Sequence, residues 1–145
     1  MTQEEKQLLL IDLCGRLPYG VICYDEVQKE AGIFKQFEYE GFGRIHNGRG
    51  LRFVENIKPY LRPMSSMTED EKDEMFGICT LSNCSINSNW ECVGVEVMSS
   101  HPRYGDYYST DYKVIDWLNA HHFDYRGLIE KGLALEAPEG MYDLK

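Results

Sequence analysis

Leu9, Leu10, Leu13 and Leu17 recur at helical spacing behind the polar opening Thr2-Gln3-Glu4-Glu5. Thr2 followed three residues later by Glu5 is a capping box, in which the hydroxyl accepts from the third helical amide and the carboxylate reaches back. The pattern predicts a first helix over about 3–16, stopped by Gly15 and Pro18. Gly20-Val21-Ile22-Cys23-Tyr24 is then a short apolar strand, and Ile33 to Tyr39 alternates imperfectly and reads as a second. Asn47-Gly48, inside Arg44 to Arg49, is the strongest short hairpin signal, with Leu51 to Val54 as the return strand. Lys58-Pro59-Tyr60-Leu61-Arg62-Pro63 carries two prolines, so it is expected to be extended, at a sheet edge or in a loop.

Thr68-Glu69-Asp70-Glu71 is a second capping box, with acids where the helix dipole favours them, and predicts a helix over about 69–79. Residues 82–90 are polar and expected to loop. Cys92 to Val97 fits a strand, and His101 to Tyr108, with Pro102 and Gly105, fits a loop. Ser109 or Thr110 is positioned to cap a third helix whose apolar face is Val114, Ile115, Trp117 and Leu118, ending near His121. Leu128 to Leu133 fits a short helical turn and the tail from Ala137 is irregular. Helix, several strands, helix, strand and helix in that order predict an α+β fold, a small mostly antiparallel sheet packed by about three helices in one domain over 1–145.

Composition keeps that picture and narrows the function. The chain has 145 residues, 43% of them hydrophobic, enough for a core. No apolar run approaches the ~20 residues of a membrane span, and the acidic N-terminus is unlike a secretory signal, so a cytoplasmic chain with no membrane partner is expected. Five cysteines, an odd number with no Cys-x-x-Cys pair, fit a reduced chain with mostly buried thiols. Spacings of five and eight between Cys79, Cys84 and Cys92 match no standard zinc knuckle.

The net charge is −9, against broad nucleic-acid binding. It is uneven: residues 41–63 hold Arg44, Arg49, Arg52, Lys58 and Arg62 against Glu55 alone, a +4 island in a chain that is otherwise −13. The glycine-rich part, Gly41 to Gly50, lacks the Gly-Lys-Ser/Thr of a P-loop and the helix that must follow a Rossmann fingerprint. Arg44, His46, Arg49 and Arg52 remain candidate ligand-binding residues, with guanidinium groups for phosphate and Phe42 or Phe53 for a base. The alternative, a hairpin with a solvated polar face, is the more ordinary reading.

"HHFDYRG", His121 to Gly127, concentrates polar chemistry. Zinc needs three or four converging ligands, and adjacent residues on a helix point about 100° apart, so His121 and His122 do not easily share a metal. Imidazoles in a last helical turn bond its orphan carbonyls and suit its negative end, and a structural role is favoured over a metal-dependent enzyme. The acidic run Glu69 to Glu74 has no calcium-loop glycine and is expected to be a solvated face. Tyr104, Tyr107 and Tyr108 are candidate interface residues, since tyrosine buries area at low entropic cost.

Ile57–Lys72 (IKPYLRPMSSMTEDEK) and Val114–Tyr142 (VIDWLNAHHFDYRGLIEKGLALEAPEGMY) resemble a family of small proteins from gut Bacteroidetes and their phages or other mobile elements. The two stretches make up about a third of the chain. The family has no activity to carry over, so the resemblance implies only a cytoplasmic chain, with mobile DNA as one expected source. The sequence thus favours a non-enzymatic binding module with a protein partner of basic surface. Nucleic-acid binding through 41–63 is the alternative, and no catalytic residue, metal or cofactor is assigned.

Overall fold

The computed structural model describes residues 1–39, 42–45, 52–81, 84–85, 97–101, 105–109 and 112–143. The chain is α+β. Its contacts cluster into two compact units, Met1–Leu61 with Leu128–Lys145, and Arg62–Gly127. No helix among the described residues is long and apolar enough to cross a membrane.

The first unit opens with α1, Gln3–Arg16, and its capping box is present: Glu5 N–H donates to Thr2 Oγ1 at 3.1 Å and Thr2 N–H to Glu5 Oε2 at 2.8 Å. Gly15 lies inside the helix rather than ending it. The chain leaves through a 3-10 turn, Leu17–Tyr19, and reverses at Gly20 with φ +68°, a conformation that suits glycine. Five strands follow: β1 (Ile22–Asp25), β2 (Glu30–Tyr39), β3 (Phe42–Ile45), β4 (Arg52–Phe53) and β5 (Ile57–Leu61). The second unit holds α2 (Glu69–Leu81), β6 (Cys84–Ser85), β7 (Val97–His101), β8 (Gly105–Ser109) and α3 (Tyr112–Ala120). The C-terminal part returns to the first unit as β9 (Leu135–Glu136).

The main sheet has the order β4-β3-β2-β1-β5-β9. Its pairs are antiparallel except β5 with β9, which is parallel, so the sheet is mixed. The β3–β4 register, Phe42 opposite Phe53 and Gly43 opposite Arg52, is symmetric about positions 47 and 48. Asn47 and Gly48 themselves lie outside the described residues. The β1–β2 connection owes nothing to glycine. Asp25 Oδ1 accepts from the Val27 and Gln28 amides, an Asx turn, and Lys29 closes the loop at φ +57°.

The Lys58–Pro63 segment, expected to be extended at an edge or in a loop, is extended through Leu61, yet β5 lies between β1 and β9. The register explains why. Glu26 N–H donates to Asn56 O, so alternate rungs bond 24 to 58 and leave Cys23 opposite Pro59 as a non-bonded pair. The Pro59 nitrogen therefore faces away from β1, and β9 pairs only from Tyr60 onward. No ladder bond is asked of the missing N–H. A second expectation also changes: His101 and residues 105–108, expected in a loop, lie in strands. Val97–His101 and Gly105–Ser109 pair antiparallel, because the β-favouring Tyr107 and Tyr108 extend the chain, and residues 102–104 lie outside the described residues. Ser109 accordingly closes β8 rather than capping α3, and Thr110 lies outside the described residues.

Each unit has its own core. In the first, Leu9 and Leu13 of α1 pack with Val21, Cys23, Phe34, Val54, Ile57 and Leu61, joined by Leu128, Leu133 and Ala134 from the returning segment. Gly43 is a close approach, since a Cβ there would lie 2.6 Å from Phe34 Cε2 and 3.1 Å from Ile57 Cδ1. Asp12 and Arg16 are fully buried within this unit, joined Oδ2 to Nε at 2.7 Å one helical turn apart. In the second unit Met67, Met75, Val114, Trp117, Leu118, Phe123 and Tyr125 form the core.

Removing one member of the buried pair leaves the other charged and desolvated. Asp12→Ala should cost about 3–5 kcal/mol in urea unfolding, whereas the double change Asp12→Leu with Arg16→Met should be much milder. Equal losses in the single and double variants would show that the pair is not the source of the cost.

Candidate functional site

Among the described residues, a dense polar constellation lies where α3 ends, in the second unit. The helix closes as a Schellman motif: Phe123 N–H donates to Leu118 O at 3.0 Å and His122 N–H to Asn119 O at 3.1 Å. The residue in the left-handed position, ordinarily glycine, is His122, with φ +63° and 3% exposure. That conformation costs a side-chain-bearing residue about 1–2 kcal/mol. Phe123 and Leu118, the pair that usually touches in this motif, both belong to the core.

Arg62 engages the turn with both its backbone and its side chain. Its N–H donates to His122 O at 2.7 Å and its carbonyl accepts from Asp124 N–H at 2.8 Å, forming a parallel bridge to Phe123. Its guanidinium lies over the Phe123 ring, 4.2 Å from the centroid. It also makes a two-pronged pair with Glu71, Nη1 to Oε2 and Nη2 to Oε1, each 2.7 Å. Glu71 is in turn the reciprocal partner in the capping box of α2, accepting from Thr68 N–H at 3.0 Å while its own amide donates to Thr68 Oγ1 at 3.2 Å.

Burial would raise the Glu71 carboxyl, but the Arg62 hydrogen bonds and charge, with the Thr68 amide, outweigh it and bring the group down to about 2. Phe123 also stacks with Trp117, and Trp117 with His121. Trp117 lies 5.8 Å from Phe123 and His121 lies 4.1 Å from Trp117, both near parallel. His121 Nδ1 sits 2.9 Å from Trp117 O, which can only accept, so that nitrogen carries the proton. Tyr125 donates to Asn119 Oδ1 at 2.9 Å, and Arg126 lies over the Tyr125 ring. His121, Trp117, Phe123 and Arg62 thus form one stacked column that Glu71 secures.

As chemistry, this column orients aromatic and cationic groups. His121 is held through the nitrogen that would otherwise be one of its two reactive atoms. Among the described residues no three His, Cys, Asp or Glu side chains are grouped as for a metal. The Cys23 thiol, in the first unit, is pushed far above its ordinary range, chiefly by burial and then by Asp12, with Arg16 opposing, so it stays a neutral thiol. Cys14 is exposed, and the side chains of Cys79, Cys84 and Cys92 lie outside the described residues.

The basic island is distributed differently from its appearance in the sequence. Arg52 pairs with Asp25, Nε to Oδ2 at 3.0 Å, with both side chains largely buried. Lys58 pairs with Glu26 at 3.3 Å and Arg62 with Glu71. Three of its five basic residues thus meet acids from outside the island. Arg44 takes its backbone place in β3 opposite Gln36, its side chain not being described; His46 and Arg49 lie outside the described residues. Tyr107 and Tyr108 are successive residues of β8, opposite Ser99 and Met98, and Tyr104 lies outside.

Sequence reasoning missed Arg62 and Glu71. The available signal was the acid at the third helical position of the α2 capping box, preceded nine residues earlier by an arginine. With the geometry in place, comparison with protein-family models, with curated proteins and with solved structures finds nothing that matches the chain.

Glu71 is depressed in the folded state, so its stabilisation is fully present above the unfolded carboxyl value near 4.5 and is lost as pH falls toward 2. Glu71→Gln should therefore lower stability at pH 7 by about 1–3 kcal/mol, and the gap from the parent chain should shrink between pH 4.5 and 2.5 in urea titrations. A gap that stays constant across that range would refute the assignment. His122→Asn, which keeps polarity and tolerates left-handed backbone, should change stability by less than about 1 kcal/mol. His122→Val should cost more than about 2 kcal/mol, because β-branching is least tolerated there.

Proposed function

We propose that this chain is a non-catalytic binding module whose partner is a protein with a basic surface. The supporting observation is how its charges are used. Arg52, Lys58 and Arg62 are engaged internally with Asp25, Glu26 and Glu71. Meanwhile Glu69, Asp70, Asp73 and Glu74 are exposed on α2. A chain of net charge −9 that pairs three of the five cations of its basic island internally attracts basic proteins more than nucleic acid. The column at the end of α3 supports the same reading, because Arg62 is held by Glu71 and His121 Nδ1 by Trp117 O. Cytoplasmic residence and an origin in mobile DNA belong to this proposal as well, and rest on the resemblance of 57–72 and 114–142.

The reading that residues 41–63 bind nucleic acid requires phosphate-facing cations. The internal pairing of Arg52, Lys58 and Arg62 leaves that reading to Arg44 and Arg49, with His46 beside them.

Titration with an arginine-rich model protein by fluorescence anisotropy tests the proposal. Neutralising Glu69, Asp70, Asp73 and Glu74 together to their amides should weaken binding about tenfold, and more than neutralising Glu4, Glu130, Glu136 and Glu139. Equal effects would reduce the interaction to net charge and count against a binding surface. A duplex-DNA gel shift that weakens steeply with salt and disappears in Arg44→Ala/Arg49→Ala would favour the alternative.

A further inference from the structure

The end of the β1–β5 ladder, within the first unit, contains an arrangement that neither the fold nor the proposed function requires. The register runs Asp25–Ile57, Tyr24–Lys58, Cys23–Pro59, so the next rung is Ile22–Tyr60. By the alternation that begins with the Glu26–Asn56 bond, it is a hydrogen-bonding rung. Only half of it is made directly: Pro59 has no N–H, so the Cys23–Pro59 pairing rests on the Tyr60 N–H to Ile22 C=O bond, while Ile22 N–H turns to a side chain. Ile22 N–H donates to Tyr142 Oη at 2.9 Å, and that hydroxyl donates to Tyr60 O at 2.8 Å, with Ile22 O a further 3.4 Å acceptor position. The phenol of the C-terminal segment is inserted between two strands as a relay. Burial pushes Tyr142 far above the ordinary phenol range, so it remains a neutral donor at all working pH.

The polarity of the relay is its main consequence. One O–H accepts from one strand and donates to the other, so it reproduces the N–H to C=O sense of the rung it replaces. When the phenol leaves, Ile22 N–H and Tyr60 C=O are the groups that continuing the register by one rung would pair. Withdrawal therefore leaves no buried orphan donor or acceptor, which is the usual barrier to removing a buried hydroxyl. The rest of the segment is lightly embedded: Pro138, Glu139, Gly140 and Asp143 are exposed, and Gly140 turns at φ +81°.

We propose that residues 138–143 are a releasable strap, seated when the Tyr142 phenol bridges Ile22 to Tyr60 and released when that rung closes on itself. The two states differ by the exchange of one hydrogen bond in that rung and by the packing of the half-buried Tyr142 ring, which makes the segment a two-state element that a partner can bias by binding the released form. Release presents Glu139, Tyr142 and Asp143 as a short acidic peptide. Its capture by a basic partner rests on the proposed function, whereas the strap itself does not.

The test uses the full chain with Tyr142→Phe, comparing exchange protection of the Ile22 amide by NMR with the rate of cleavage after Glu139 by a glutamate-specific protease. The expected result is cleavage accelerated about tenfold or more, while Ile22 keeps its protection to within about tenfold because the rung has closed. Faster cleavage with a larger loss of Ile22 protection would show a structural bridge rather than a strap. Unchanged cleavage would show that the phenol does not hold the segment. A variant that fails to unfold cooperatively would also overturn the proposal, since a self-closing rung predicts a folded chain. None of these outcomes depends on whether a basic partner binds.

Discussion

Arg62 is the constraint on which the second unit turns. Its peptide group accepts and donates across the residues that end α3, its guanidinium covers the ring of Phe123, and its charge anchors Glu71 at the start of α2. A lysine could supply the charge but not the planar fork that meets both carboxylate oxygens while lying flat on an aromatic ring. Because Glu71 also caps its own helix, one carboxylate fixes where α2 begins and where the guanidinium rests. The turn at 121–124 is held in place by Arg62 as much as by its own local preferences, which explains how a histidine comes to occupy a position that glycine would fill more easily.

The chain resolves an apparent contradiction in its charge distribution. Linear sequence separates a basic island from acidic flanks, and that separation invites a search for a phosphate ligand. Folding brings Asp25, Glu26 and Glu71 to the island, and ladder register, hairpin closure and helix capping decide these partners. Asp25 is also the acceptor of the β1–β2 turn, so Arg52 reads out a turn geometry as well as a charge.

What could be read in advance follows from the range of the forces involved. The limits of α1, the caps at Thr2 and Thr68 and the end of α3 near Ala120 are local events, set within three or four residues, and the pattern contains them. β9 has only two residues and no apolar alternation, and exists because Leu61 and Tyr60 offer it a partner more than seventy residues away. The return of Leu128, Leu133 and Ala134 to the first core is invisible for the same reason. Pro59 misleads because its cost depends on which way its nitrogen faces, and only register determines that. The role of "HHFDYRG" was partly legible, in that a helix end favours imidazoles, but the column built by Arg62 and Trp117 depends on a residue nearly sixty positions distant.

Pro59 also sets a limit on its neighbour. The nitrogen that faces away from β1 faces the side on which β9 runs, and it carries no hydrogen to donate. A parallel strand extending back along β5 past Tyr60 therefore gains one hydrogen bond fewer. A residue that looks like a disruption in the sequence thus influences where its neighbour begins.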